Sequence, residues 1–316
     1  MDYLLVVSRA LQFTATILMT GVLFFRALIA DPSGLSSAKV DVEHQGERRC
    51  DYQLRLMLWI GFLLAFASGA AWFLAVSGAI EDGPIRQAIA DGTATTVLTE
   101  TQFGRVWIVR IVVGVLLAAV VGTAKLQWMG RRSFELSLAA VFAGSLAFVG
   151  HAASVPGLKG DIHLASDALH LIAVCAWVGS LVPYALYLKA ISEDSRASIK
   201  AQEATRRFSN LGFVAVLTIA TTGIINTYNL VGSTDLLTQT QYGQLLLIKV
   251  ALFIAMIGVA AINRFWLTPR LSDRDTTKHL RRNSLIETCF GLLIVCIVAV
   301  LGTMPPAMLE HEAVWH

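Results

Sequence analysis

Three histidines lie close together in the middle of a strongly apolar chain. His151, His163 and His170 are three of its seven histidines, and Asp161 and Asp167 lie among them on a short polar link between two apolar segments. Imidazole nitrogens bind copper, zinc, iron and nickel, and a neighbouring carboxylate orients an imidazole ring through its second nitrogen. The spacing therefore predicts a metal site formed by His151, His163 and His170, with Asp167 as a secondary candidate ligand.

A structural role is the alternative for each histidine taken singly. Histidines at a membrane boundary also cap helices, bond to the backbone or reach toward the headgroups. If the segment is helical, His163, Asp167 and His170 share one face at spacings of four and three, with His170 about 10 Å below His163. Polar groups at membrane depth are costly and usually functional, which favours a metal site for the three histidines together.

The chain that positions these residues is predicted to be a membrane protein. Hydrophobic residues make up 55% of its 316 residues and charged residues 15%, and its mean hydropathy is +0.64. This composition excludes a water-soluble domain of that length, because a core could not hide so much apolar surface. Since about 20 apolar residues cross a bilayer, we expect one all-α membrane domain over residues 1–316, with eight transmembrane helices. The predicted spans are residues 4–29, 54–76, 105–124, 134–155, 166–188, 208–231, 243–267 and 283–302.

Lysine and arginine are distributed unevenly over the predicted links. The links after spans one, three, five and seven are rich in them, whereas link two has Arg86, link four has Lys159 and link six has neither residue type. Because basic links stay in the cytoplasm, both termini and the histidine stretch are predicted to face away from it, on the periplasmic side. The net charge of +3 follows from this topology, so no nucleic-acid partner is expected.

An internal duplication is visible in the sequence. The segment SRALQFTATILMTG from Ser8 matches SDALHLIAVCAWVG from Ser166, and TQFGRVWIVRIVVG from Thr101 matches TQYGQLLLIKVALF from Thr240. Matches in the same order predict two four-helix halves, residues 1–155 and 156–316. Because four is an even number, both halves enter the membrane from the same side, as a parallel repeat.

Equivalent positions in the two predicted halves carry different polar residues. Gln12 corresponds to His170, and Arg110 corresponds to Lys249. Arg110 and Lys249 are expected to form structural ion pairs or to extend toward the headgroups. The functional alternative is an electrostatic floor that limits how far a cation travels into the membrane.

Two glutamates also occupy equivalent positions in the predicted halves. Glu135 and Glu287 lie near the cytoplasmic ends of spans four and eight, close to pairs of arginines. Local salt bridges are the expected explanation for both, and an acidic exit site on the inner side is the alternative.

The C-terminal segment after Gly302 contains further candidate ligands. Met304, Met308, His311 and His316 combine thioether and imidazole groups, a copper-compatible set in which the thioether favours Cu(I). They are secondary candidates, because a solvated terminus is the default for such a segment.

Two stretches of the sequence resemble a known family. One is GHAAS with the downstream SDALHLIAVCAWVGSLVPY; the other, over about residues 207–307, includes RFSNLGFVAVLTIATTGIINTY, YGQLLLIKVALF, INRFWLTPRL, LRRNSLIE and LGTMPPA. These stretches resemble the copper resistance protein D (CopD) family of bacterial inner-membrane proteins, and the resemblance spans nearly the whole chain. It implies that His151, His163 and His170 occupy the copper-ligand positions of that family. The residues that match its structural signature are Tyr242, Gly243, Lys249, Asn263 and Arg264.

The resemblance implies a function in copper handling. We expect an inner-membrane transporter that imports copper ions from the periplasm through the histidine site at its outer face. Some family members carry a fused periplasmic copper-binding domain of the CopC type, whereas this sequence starts directly at the first predicted span. The resemblance therefore implies a separate periplasmic copper chaperone of the CopC type as partner, or the capture of free copper. An enzyme is not expected, because the sequence has no nucleophile–base motif, phosphate loop or HExxH helix.

Two other functions agree with the same residues. A membrane electron-transfer protein would use His151 and His170 as axial haem ligands, because paired imidazoles between helices also suit haem iron. A copper sensor or assembly factor would bind the metal without moving it. Visible absorption separates the haem protein from the transporter, and copper flux into proteoliposomes separates the sensor.

Overall fold

The computed structural model describes residues 3–30, 45–123, 130–150, 157–191, 197–271 and 274–308. The described residues form helices joined by short turns, and eight of these helices are long and apolar enough to cross a membrane. The predicted all-helical class and the predicted number of spans are therefore confirmed. The helices are α1 Tyr3–Phe25, α2 Gln45–Glu81, α3 Ile85–Ala90, α4 Thr93–Glu100, α5 Gln102–Gly122, α6 Arg131–Gly144, α7 Leu158–Ile191, α8 Ala197–Val231, α9 Leu236–Gln239, α10 Gln241–Ile262 and α11 Arg274–Leu301.

Several helices extend beyond the apolar segments that predict them. Helix α7 begins at Leu158 rather than at residue 166. The polar residues before 166 extend the helix because its backbone hydrogen bonds form within the helix, whatever the side chains are. Asp161 in its first turn also interacts favourably with the helix dipole. The prediction that His163 lies on a solvated link is therefore wrong. His163 lies within α7 and is only 4% exposed.

The same turn precedes α5 and α10. The Thr101 hydroxyl accepts a hydrogen bond from the Gly104 amide at 3.0 Å, and Thr240 accepts one from Gly243 at 3.0 Å. Each glycine is required, because a Cβ there would overlap backbone atoms of the short helix before it, α4 or α9. Those short helices fix where α5 and α10 begin, and they are too short and polar to appear as spans in the sequence.

Helices α1 and α7 form the centre of the bundle. Their backbones touch where they cross, since a Cβ on Gly21 would overlap the Gly179 backbone and a Cβ on Gly179 would overlap the Ile17 carbonyl group. Helix α2 packs on α1, α8 packs on α7, and both α6 and α11 contact the central pair. The main core lies among these helices and includes the fully buried Phe25 and Leu181.

Helices α5 and α10 lie toward the outside of the bundle. Both expose large apolar residues, including Val112 on α5 and Ile254 on α10, which are 52% and 62% exposed. Apolar surface of this extent is stable only against lipid. The chain is therefore a multi-pass membrane protein, with the polar side chains of interest enclosed by the inner helices.

Candidate metal site

His170 lies on α7 and is held by a threonine of α8. Its Nδ1 atom is 2.9 Å from the Thr222 hydroxyl oxygen. That hydroxyl donates its single proton to the Thr218 carbonyl oxygen at 2.6 Å, so it accepts a hydrogen bond from His170 Nδ1–H. The proton of a neutral imidazole then resides on Nδ1, and the Nε2 lone pair remains available to a metal ion.

Asp167 lies one turn before His170 on the same face of α7. Its Oδ1 atom accepts a hydrogen bond from Asn226 Nδ2 at 3.2 Å. Its Oδ2 atom is 3.9 Å from the position that a Cβ would take on Gly150, the residue directly before His151. Gly150 is the last described residue before His151, which lies outside the described residues, as do His311 and His316.

A lysine adds a positive charge next to this pair. Lys249 on α10 is partly buried and interacts electrostatically with both Asp167 and His170. Such a charge attracts the Asp167 carboxylate and repels a second positive charge nearby. Lys249 is thus placed to influence any cation bound at His170.

Arg110, which the predicted repeat aligns with Lys249, has a different environment. Arg110 on α5 is 1% exposed, and its Nη1 atom donates to the Phe142 carbonyl oxygen at 2.8 Å and to the Ser145 hydroxyl at 2.6 Å. Its guanidinium also lies 4.4 Å from the centre of the Phe142 ring. The expectation of an ion pair or of a side chain extended toward the headgroups is wrong for Arg110, because its partners among the described residues are uncharged and it lies inside the core.

The three predicted ligands are not brought together within the described part of the chain. His163 precedes His170 by two helical turns, about 10 Å along α7. Over residues 3–30, 45–123, 130–150, 157–191, 197–271 and 274–308, no three His, Cys, Asp or Glu side chains form a group that could hold a metal ion. A shared site for the three histidines therefore depends on where His151 lies.

The methionines after α11 lie over the end of α8. Met304 packs against a small cluster that includes Val231 and Tyr242, and Tyr242 interacts electrostatically with Asp167. Met308 is 42% exposed and its sulfur lies 2.8 Å from the position of a Cβ on Gly232. The described part of this segment therefore folds back toward the end of the bundle that carries Asp167.

Two helices carry polar, aromatic and sulfur-containing side chains at intervals of seven residues. Seven residues make two helical turns, so the members of each series lie on one face about 10 Å apart. We call the two series the α7 stripe and the α10 stripe. The α7 stripe is His163, His170, Trp177 and Tyr184, and the α10 stripe is Tyr242, Lys249, Met256 and Asn263. All eight side chains are buried or partly buried, and the spacing was the signal by which the sequence could have identified Trp177, Tyr184 and Met256.

At the other end of the stripes, Glu287 is buried with two asparagines. Asn283 Nδ2 donates to Asn263 Oδ1 at 2.7 Å, and Asn263 Nδ2 donates to Glu287 Oε1 at 2.7 Å. The predicted salt bridge is confirmed for Glu135, which lies 3.5 Å from Arg131. It is wrong for Glu287, which is 1% exposed and has no ion pair among the described residues.

Comparison with known proteins identifies the family. Residues 202–301 match the family model described as "Copper resistance protein D", and residues 1–161 match "Copper resistance protein D-like, N-terminal domain". No solved structure matches the chain. The first match nearly coincides with the stretch from which the sequence predicted the family.

Three curated proteins are similar to the chain. "Inner membrane protein YebZ" of Escherichia coli (strain K12) is 34% identical over 210 residues, covering 66% of this chain and 70% of that protein. "Copper resistance protein D" of Pseudomonas syringae pv. tomato is 31% identical over 264 residues, covering 79% and 82%. "Copper transport protein CutJ" of Bacillus subtilis (strain 168) is 28% identical over 304 residues, covering 94% of this chain and 52% of that protein. The chain therefore belongs to the copper resistance protein D family and is a multi-pass protein of the inner membrane.

Proposed function

We propose that this protein imports copper ions through its second half, from a site at His170 on the outer side of the membrane. The observation that carries the proposal is the pairing of His170 with Thr222, which leaves Nε2 available, one turn after Asp167 on the same face of α7. Two similar proteins are named for copper resistance and copper transport. Copper is the cargo here, and transport rather than catalysis is the activity.

The outer location rests on the distribution of basic residues. The start of α1, the end of α11 and His170 lie at the end of the bundle that is poor in lysine and arginine, whereas Arg131, Arg207 and Arg264 lie at the opposite end. Under the positive-inside rule the opposite end faces the cytoplasm. Copper that arrives from the periplasm, from a chaperone of the CopC type or as the free ion, therefore meets His170 first.

The full ligand set is proposed to be His151, His163 and His170, with Asp167 beside them. Gly150, the described residue next to His151 in the chain, lies near Asp167, which supports His151 as a member of the set. His163, two turns earlier on the α7 stripe, is placed to receive the ion first and pass it on. Imidazole ligands suit either oxidation state of copper. Met304 and Met308 are the secondary candidates near the same end, and His311 and His316 follow them in the chain.

Below this site, the two stripes supply a route inward. Trp177 and Met256 lie two turns further into the membrane than His170 and Lys249, and a thioether suits Cu(I). We propose that the positive charge of Lys249 repels the copper ion and so holds it at His170. The ion passes Lys249 when the Asp167 carboxylate compensates the charge of the ion.

The single membrane domain is proposed to consist of two parallel repeats, residues 1–155 and 156–316. Three observations support this. Ser68 on α2 donates to the Gln12 side-chain oxygen at 2.7 Å, and Thr222 on α8 is bonded in a similar way to His170, the residue that the sequence aligns with Gln12. The same threonine–glycine turn precedes α5 and α10, and Gly21 and Gly179 are equivalent residues that touch each other. The first half then supports the structure, while the second half carries the ion.

Copper uptake by proteoliposomes tests the proposal. Wild-type protein should load vesicles that contain a copper-sensitive dye, and His170→Gln should abolish loading. The matched control is His279→Gln, because His279 is exposed at the opposite end of the bundle. Copper binding without uptake would instead indicate a sensor or assembly factor, and an intense visible absorption band of the purified protein would indicate haem. Either outcome would refute transport through His170.

A further inference from the structure

The inner end of the second half contains a cavity with a buried carboxyl group. The cavity has a volume of about 240 Å³ and lies among α7, α8, α10 and α11. Its polar lining includes Tyr184, Asn263, Arg264 and Glu287, and most of the remaining lining is apolar. Tyr184 follows His170 by fourteen residues, so the cavity lies about 21 Å along α7 from the candidate metal site.

The two asparagines fix how Glu287 presents its carboxyl group. Asn263 accepts a hydrogen bond from Asn283 through its oxygen, so its amide nitrogen must face Glu287. That nitrogen satisfies Oε1. The other oxygen, Oε2, is fully buried and has no hydrogen-bond partner within the described residues.

A charged carboxylate in this position would lack compensation. Burying an unpaired ionised carboxylate is far more costly than burying a neutral acid, and such groups take up a proton or a cation. The polar groups that line the cavity with Glu287 include the Tyr184 hydroxyl and the Asn263 amide, and hard oxygen ligands are a poor match for Cu(I). The proton is therefore the ligand that fits Oε2 best.

The charged and titratable groups facing Glu287 agree with this assignment. From α7, Tyr184 interacts electrostatically with Glu287 and shares a 2.6 Å hydrogen bond with Thr205. From the segment after α10, the Arg264 Nη1 atom is bonded to the Ser209 carbonyl and hydroxyl oxygens, and Glu287 Oε2 has no partner among the described residues. Directly after α1, the charged residue at this end is Arg26, which is paired with Asp51.

We propose that Glu287 is a reversible proton-binding site that exchanges its proton with water in the inner cavity. The volume is sufficient for several water molecules, each of which occupies about 30 Å³ in the liquid. On deprotonation the O–H bond at Oε2 breaks, a cavity water accepts the proton, and the carboxylate retains the negative charge. If the proposed copper import is correct, this charge appears as a copper ion approaches from His170 and compensates the charge of that ion.

Infrared spectroscopy of the purified protein, without copper, tests proton binding directly. The wild type should show the carbonyl band of a buried protonated carboxylic acid, and the band should decline as pH is raised. Glu287→Gln should abolish it, and Glu135→Gln should retain it because Glu135 is paired with Arg131. If Glu287→Gln does not fold, Glu287→Asp should shift the band in frequency and so assign it. A band that survives both changes at Glu287, or a wild type without any acid band, would overturn the proposal.

Proteoliposomes then connect the proton to transport. Copper uptake by wild type should depend on the pH inside the vesicle, and Glu287→Gln should lose that dependence while Glu135→Gln keeps it. Wild-type protein that takes up no copper refutes the proposed import but leaves the infrared assignment standing. Uptake with an unchanged pH dependence in Glu287→Gln refutes the role of the proton in transport.

Discussion

Replacing Thr222 by valine should weaken copper binding without unfolding the protein. The change keeps the shape of the side chain and removes the hydroxyl that holds His170 Nδ1 at 2.9 Å. The imidazole then loses the hydroxyl acceptor that fixes its tautomer, and the Asp167 carboxylate lies one turn before it on the same face of α7. Rotation toward Asp167 would misalign Nε2 with the bound ion.

The size of the effect follows from the loss of one orienting hydrogen bond. Removing a partner that orients a metal-binding histidine typically lowers metal affinity about 10- to 100-fold, which corresponds to about 1.4–2.7 kcal/mol. Thr218→Val on the same helix is the matched control. Thr218 donates only to the Val214 carbonyl oxygen of its own helix, at 2.9 Å.

Competition with a chromophoric copper chelator measures the copper affinity of each variant. The titration is done separately for Cu(I) and for Cu(II). Thr222→Val should release copper to the chelator at a much lower chelator concentration than the wild type, and Thr218→Val should resemble the wild type. Equal affinities for the two variants would show that the ring orientation set by Thr222 has no part in copper binding, and His170 would then be a structural residue.

Four further outcomes are expected. Gly179→Ala should destabilise the bundle by about 1–3 kcal/mol in a denaturant titration, because the added methyl group overpacks the helix crossing. Gly258→Ala should not, because a Cβ there meets nothing within 4 Å. Equal stabilities of the two variants would contradict the close crossing of α1 and α7. Arg110→Ala should lower the free energy of unfolding by about 2–5 kcal/mol, through the cavity that it leaves and the hydrogen bonds that it removes. Lys249→Ala should lower it by less, and the reverse order would show that Lys249 is the structural cation. Copper binding should weaken on acidification, because only a deprotonated ring nitrogen binds metal; an affinity that does not change before the protein unfolds in acid would exclude imidazole ligands. A reporter that is active only in the cytoplasm should stay silent when fused after His316, and activity there would reverse the topology.

The number of spans could be predicted from the sequence because each span needs a long apolar segment, whatever its neighbours are. Helix ends were harder to predict. The polar residues from Leu158 to Ala165 continue α7 through backbone bonds that hydropathy does not measure. His163 was therefore expected on a link, whereas the structure has it buried within a helix.

The partners of the polar side chains were mostly not predictable from one sequence. Thr222 and Asn226 face His170 and Asp167 only because of the rotation of α8 about its axis, which local patterns leave undetermined. Glu287 is different, because a signal was present. The residue four positions before Glu135 is Arg131, a salt-bridge spacing, and the residue four positions before Glu287 is Asn283.

The contact between Gly21 and Gly179 restricts how the molecule can move. Transporters built from repeats commonly place their cargo between the repeats and rock one against the other. Here the backbones of α1 and α7 meet without side chains between them, so no path for an ion runs between these two helices at that level. Under the proposed import, opening to alternate sides requires α7 to bend rather than to separate from α1. Pro183 lies one turn beyond Gly179 in α7 and lacks a backbone donor, which makes that turn the natural hinge.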